Sequence, residues 1–170
     1  QRAPHPFVPG LVSGLTGGLA AAWVARMEGH DHALMRIALD LAQAAAQAGE
    51  TPVGAVVADP GTGEVLGRGS NRPISSNDPT AHAEIVALRE AAARMGNYRL
   101  TDMVLVVTLE PCAMCPGAIS HARIGRLVYG AEDPKGGGVV HGPRFFDQPT
   151  CHWRAEIEGG VMAAGSSTLL

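Results

Sequence analysis

Two short stretches of the chain carry groups that could do chemistry together. Thr80-Ala81-His82-Ala83-Glu84 offers an imidazole with a carboxylate two residues on. Thr108-Leu109-Glu110-Pro111-Cys112-Ala113-Met114-Cys115 offers two thiols three residues apart. One nitrogen and two sulfurs make a three-ligand zinc set, and catalytic zinc sites leave the fourth position to water. His82, Cys112 and Cys115 supply that set, with Zn2+, one per subunit, as the implied cofactor. Glu84 is then a carboxylate able to take a proton from such a water and pass it on. The same residues could instead close a structural site, for which Cys151 is the candidate fourth ligand. Glu84 would then have no task beside the metal. A redox dithiol fits poorly, because the pair lacks a thioredoxin-like setting.

The surrounding pattern shows what must position these groups. From His32 to Ala48 the apolar residues Leu34, Ile37, Ala38, Leu41, Ala42 and Ala45 recur at three and four, which predicts an amphipathic helix stopped by Gly49. Val53 to Ala58 predicts a strand, Asp59-Pro60-Gly61-Thr62-Gly63 a turn, and Glu64 to Gly69 its hairpin partner. Ser70 to Thr80 reads as a polar loop. Asp78 or Thr80 can cap a helix running to about Met95, with Pro79 in its first turn and His82 and Glu84 close behind. Met103 to Leu109 reads as a strand buried on both faces. Pro111 opens a helix that would carry Cys112 and Cys115 on one face, and Arg126 to Gly130 is a further strand, parallel to the last. Positions two apart on an ideal helix point in nearly opposite directions, so spacing alone does not bring Glu84 over a metal held by His82.

Composition bounds the class. At 170 residues, 46% hydrophobic and 17% charged, the chain suits one globular domain with a mostly aliphatic core, since aromatics are only 4%. A net charge of −3 gives no strongly basic footprint over the whole protein, which leaves only a local patch for nucleic acid. No apolar run is long enough to cross a membrane. Three cysteines do not make a disulfide framework, and thiolate ligands point to a reducing compartment, the cytoplasm. Residues 1–28 read as an N-terminal extension, disordered or added ahead of a start near Met27, with residues 29–170 as the functional domain. A secretory leader is the competing reading, and it suits a thiolate zinc site poorly.

The H-x-E and P-C-x-x-C pair is the signature of zinc-dependent nucleobase deaminases. From about Gly29 to Leu170 the chain resembles the bacterial tRNA-specific adenosine deaminases, within the cytidine deaminase-like superfamily. The resemblance runs through Asn71-Arg72-Pro73-Ile74, Asp78 to Glu84, Asn97-Tyr98-Arg99-Leu100, Thr108 to Cys115, Gly117-Ala118 and Arg123-Ile124-Gly125-Arg126. It implies an α/β fold, a three-layer α/β/α sandwich around a mixed sheet of about five strands. It implies hydrolytic deamination of adenosine to inosine at the wobble position of a tRNA anticodon loop, by a homodimer that binds the anticodon stem-loop. By the same resemblance Glu84 is catalytic, Asn71 hydrogen-bonds the base, and the backbone around Ala83 and Glu110 holds the ring. Asp133 and Lys135 match the loop that contacts neighbouring nucleotides. Two departures stand out: the stretch from Gly136 to His152 differs in wording, and the final helix, which in the family continues with aromatic and basic residues, stops at Leu170. A deaminase of a free base or nucleoside is the alternative, and a zinc-stabilised binding module is a second from another class.

Overall fold

The computed structural model describes residues 17–170, with side chains from His30 onward. Its centre is a five-stranded mixed sheet in the order β2-β1-β3-β4-β5. The strands are β1 (Gly54–Ala58), β2 (Val65–Ser70), β3 (Val104–Leu109), β4 (Arg126–Ala131) and β5 (Glu156–Glu158). β1 pairs antiparallel with β2 and β3, and β3, β4 and β5 run parallel. The helices are α1 (Gly17–Gln47), α2 (Pro73–Ser76), α3 (Ala83–Met95), α4 (Cys115–Ala122) and α5 (Ala163–Leu169).

Strand periodicity sorts the core into two halves, because alternate side chains leave opposite faces of a sheet. Ala55, Val57, Leu105, Val107, Leu127 and Tyr129 pack with residues of α3 and α4 on one face. Val56, Ala58, Val104, Val106 and Val128 pack with Leu34, Met35 and Ala38 of α1 on the other, beside Met162 at the start of α5. This is the expected three-layer α/β/α arrangement. β1, β3 and β4 are buried almost throughout, as central strands covered on both faces must be.

One contact fixes where the site's first helix begins. Gly67 and Gly69 alternate along β2 and face Ala83, Ala87 and Ala91, one helical turn apart on α3. Both partners lack bulk, so helix backbone lies directly on strand backbone, and a Cβ at Gly69 would overlap the carbonyl of Ala83. Gly69→Ala is expected to cost about 1–3 kcal/mol, the usual range for overpacking, and to displace the start of α3. A melting curve matching the parent's would show instead that α3 can lift away without cost.

Several sequence expectations need correction. The first helix is longer than the pattern over 32–48, reaching back to Gly17 through an alanine-rich stretch that favours helix. The reading of residues 1–28 as an extension lies, for residues 1–16, outside the described residues. The supposed loop from Ser70 to Thr80 contains α2, whose Ile74 and Ser75 N–H groups donate to the buried carboxylate of Glu50 at 3.2 and 2.7 Å. Neither Asp78 nor Thr80 caps α3: Asp78 accepts from the backbone and hydroxyl of Thr80 in a local turn, and the helix starts at Ala83 with His82 as its N-cap. Pro79 therefore lies before the helix. α4 likewise starts at Cys115, so Cys112 sits in the turn ahead of it rather than on its face.

Candidate metal centre

Both halves of the donor set lie at helix N-termini, where exposed N–H groups and the helix dipole favour negative charge. His82 precedes α3 in extended conformation, with φ −72° and ψ 152°. That extended residue answers the spacing problem. His82 is outside the helix and Glu84 in its first turn, so the opposite directions of an i, i+2 pair on a helix do not apply. On the other side β3 delivers the chain to Pro111, and the Cys115 N–H donates to the Cys112 carbonyl at 3.2 Å to close a tight turn. Pro116 then occupies the opening of α4, where a missing N–H costs nothing.

The resulting triangle has edges of 3.5 Å from His82 Nδ1 to Cys112 Sγ, 3.7 Å from Nδ1 to Cys115 Sγ, and 3.8 Å between the sulfurs. A tetrahedral zinc with Zn–S near 2.3 Å and Zn–N near 2.05 Å requires edges of about 3.6 and 3.8 Å. The donors are thus at zinc-ligand spacing already. Among the described residues His82, Cys112 and Cys115 are grouped as metal donors without a fourth histidine, cysteine or carboxylate. Cys151 is elsewhere. It donates to the Trp153 carbonyl at 3.1 Å, in a cleft of about 380 Å³ that it lines with Tyr98, Arg123 and Trp153.

Electrostatics around the triangle follow from burial and donation. Cys112 is held at about 5, chiefly because the Cys115 thiol donates to it, with burial opposing and the Met114 and Cys115 N–H groups assisting. Cys115 is pushed up by that same donation, by burial and by the Glu84 carboxylate. Cysteine binds zinc as the thiolate, so zinc uptake by this pair is coupled to loss of thiol protons. Glu84 is 3% exposed. Burial raises its pKa, its own N–H and His82 oppose the rise, and the Cys112 thiolate adds to it. A desolvated carboxylate beside the ligands is what proton transfer at this site requires.

The other expected residues divide into joined pairs. Asn71 is buried, and its Oδ1 accepts the Ala83 N–H at 2.8 Å. Asn71 therefore caps the first turn of α3 from twelve residues upstream. Glu110 is buried too, and its carboxylate takes the Asp133 N–H at 3.1 Å. Asp133 in turn accepts from the N–H groups of Lys135 and Gly136 at 3.1 and 2.9 Å. Lys135 is exposed. Sequence reasoning missed two residues: Glu50, which holds α2, and His141, whose Nδ1 meets Glu110 Oε2 at 2.7 Å. No local pattern marks either, since each acts on a segment distant in sequence.

The Glu110–His141 contact gives a pH dependence with a definite sign. His141 is raised from 6.5 first by its bond to Glu110, with burial opposing and the charges of Glu110, Glu132 and Asp133 adding to the rise. Its contribution to stability is complete below its unfolded pKa and is lost as pH rises through the higher folded value. Thermal stability is expected to fall as pH increases from about 6.5 upward, and His141→Ala should flatten that slope. Identical slopes in the two proteins would show that the contact contributes nothing.

Comparison with known proteins agrees with this geometry. Residues 28–131 match the family model described as the cytidine and deoxycytidylate deaminase zinc-binding region. The chain is 50% identical over 137 residues to a tRNA-specific adenosine deaminase of Agrobacterium fabrum, covering 80% of this chain and 88% of that one. It is 49% identical over 140 residues to a tRNA-specific adenosine deaminase of Haemophilus influenzae, covering 82% and 80%. A structure from biochemical and structural studies of A-to-I editing by tRNA:A34 deaminases at the wobble position superimposes with a TM-score of 0.78 at 48% identity, covering 81% of this chain and 98% of that one.

Proposed function

The chain belongs to the cytidine and deoxycytidylate deaminase family, and from that premise we propose that it deaminates adenosine to inosine at the wobble position of a tRNA anticodon loop. The observation that carries the reading is the open triangle of His82, Cys112 and Cys115 with a buried carboxylate in contact with it. Zinc bound by those three residues supplies a Lewis acid that makes a water easy to deprotonate.

The protein's own groups do the rest. Glu84 accepts one water proton and delivers it to the purine ring nitrogen as the water oxygen adds to the amino-bearing carbon. It then takes the remaining proton from that added hydroxyl and gives it to the departing amine, so that the C–N bond breaks, ammonia leaves and a carbonyl oxygen replaces it. Burial keeps Glu84 out of bulk solvent, so the proton stays within the site. The Asn71 oxygen is committed to Ala83, so Asn71 recognises the base by donating from its amide nitrogen. The segments at Ala83 and Glu110 flank the ring, and Asp133 and Lys135 meet the neighbouring nucleotides. A loop base is unstacked at little cost, which suits a pocket that must take the base out of its strand. The enzyme acts as a homodimer in the cytoplasm, where thiolate ligands remain reduced. No described helix is long and apolar enough to cross a membrane.

The test is inosine formation in a panel of anticodon stem-loops, run beside free adenosine, cytosine and guanine. Conversion of an adenosine-34 stem-loop alone is the expected result. Turnover of a free base with none on RNA would keep the chemistry and overturn the substrate.

A further inference from the structure

The Glu110 carboxylate is shielded from solvent altogether, yet it lies one residue from the ligand-bearing turn. Its Oε1 accepts the N–H groups of Val139, Val140 and His141 at 3.1, 2.9 and 3.0 Å. Its Oε2 accepts the Asp133 N–H at 3.1 Å and meets His141 Nδ1 at 2.7 Å. One carboxylate thus gathers both ends of the 133–141 loop. The loop is also pressed against the metal turn: Gly138 N–H donates to the Pro111 carbonyl at 2.8 Å, and Gly137 bridges to Cys112. The approach is close enough that a Cβ on Gly138 would come within 2.8 Å of the Ala113 Cα. Lys135 hangs from this assembly through Asp133.

We propose that Glu110 is a positioning residue: its carboxylate ties the 133–141 loop to the turn that carries Cys112 and so sets affinity for the RNA beside the target adenosine, without touching substrate. This rests on the proposed tRNA activity. It assigns the side chain a task separate from the backbone placement that the resemblance implied. Five donors converge on this one group, and a buried donor left without its acceptor is costly. Losing the carboxylate therefore frees the loop first.

The test compares zinc-loaded wild type, Glu110→Gln and His141→Ala. The measurements are zinc content, amide hydrogen exchange, and steady-state kinetics on an adenosine-34 stem-loop. In Glu110→Gln the amides of Val139, Val140 and His141 are expected to exchange about tenfold faster or more, with zinc still at one per chain. The stem-loop KM should rise about tenfold, with a smaller fall in kcat. His141→Ala, which keeps the backbone donors bound, should shift the same quantities the same way by less, and it decides the matter if Glu110→Gln does not fold. Unchanged exchange, loss of zinc, or a fall in kcat with KM unmoved would each overturn the proposal. If wild type converts no stem-loop, the tRNA reading fails by itself, and exchange and zinc content still decide whether Glu110 holds the loop.

Discussion

Glu84→Gln is expected to lower kcat on the stem-loop by roughly 10²–10⁴-fold, the range attributed to a positioned general acid–base. The substitution keeps the size of the side chain and one acceptor oxygen, so the packing at the start of α3 survives. What it removes is the capacity to carry a proton. KM should change little, because Glu84 acts on the reacting atoms and the rest of the RNA is held elsewhere. Zinc should remain bound, since the donor set is His82, Cys112 and Cys115 without Glu84. A variant with near-normal kcat would remove Glu84 from the mechanism, and a variant that lost zinc would make it a support of the metal site instead.

Cys115→Ser is expected to abolish both zinc binding and turnover. The residue is fully buried at the start of α4, and its sulfur is one corner of a triangle whose edges already match a tetrahedral ion. A hydroxyl is a poor zinc ligand where a thiolate is called for, and with only three protein ligands no other donor replaces it. Zinc content measured after dialysis should fall to near zero, and thermal stability should drop to that of the metal-stripped wild type. Cys151→Ser provides the contrast. Its thiol lies in the cleft beside Trp153, so zinc and kcat should stay at wild-type levels. If Cys151→Ser also lost zinc, the site would be a closed four-ligand one and the catalytic reading would fall.

The donor set was legible because metal chemistry constrains residue type and spacing more tightly than packing does. His82, Cys112 and Cys115 stand out from a dozen residues of text and the fold brings their donor atoms together, with Glu84 buried nearby, and β1, β3 and β4 follow from short apolar runs. The geometry that makes the set work was less legible. The sequence suggests Cys112 and Cys115 on one helical face, whereas a turn holds Cys112 and a helix holds Cys115. It offers Asp78 and Thr80 as caps for α3, whereas His82 holds the N-cap position and the side chain that accepts from the first turn is that of Asn71, brought there by the fold of the preceding loop. Glu50, Glu110 and His141 act on segments 23 to 31 residues away. Local propensity carries no information about such contacts. Capping and loop anchoring are tertiary events here, and they decide whether the site is preorganised.

The most direct test of zinc-dependent deamination is to strip the protein with a chelator, restore zinc in steps, and follow inosine in an adenosine-34 stem-loop. Activity should be absent from the stripped protein and should rise in proportion to zinc until one ion per chain is bound. Full turnover by the stripped protein, or none at one zinc per chain, would contradict the account.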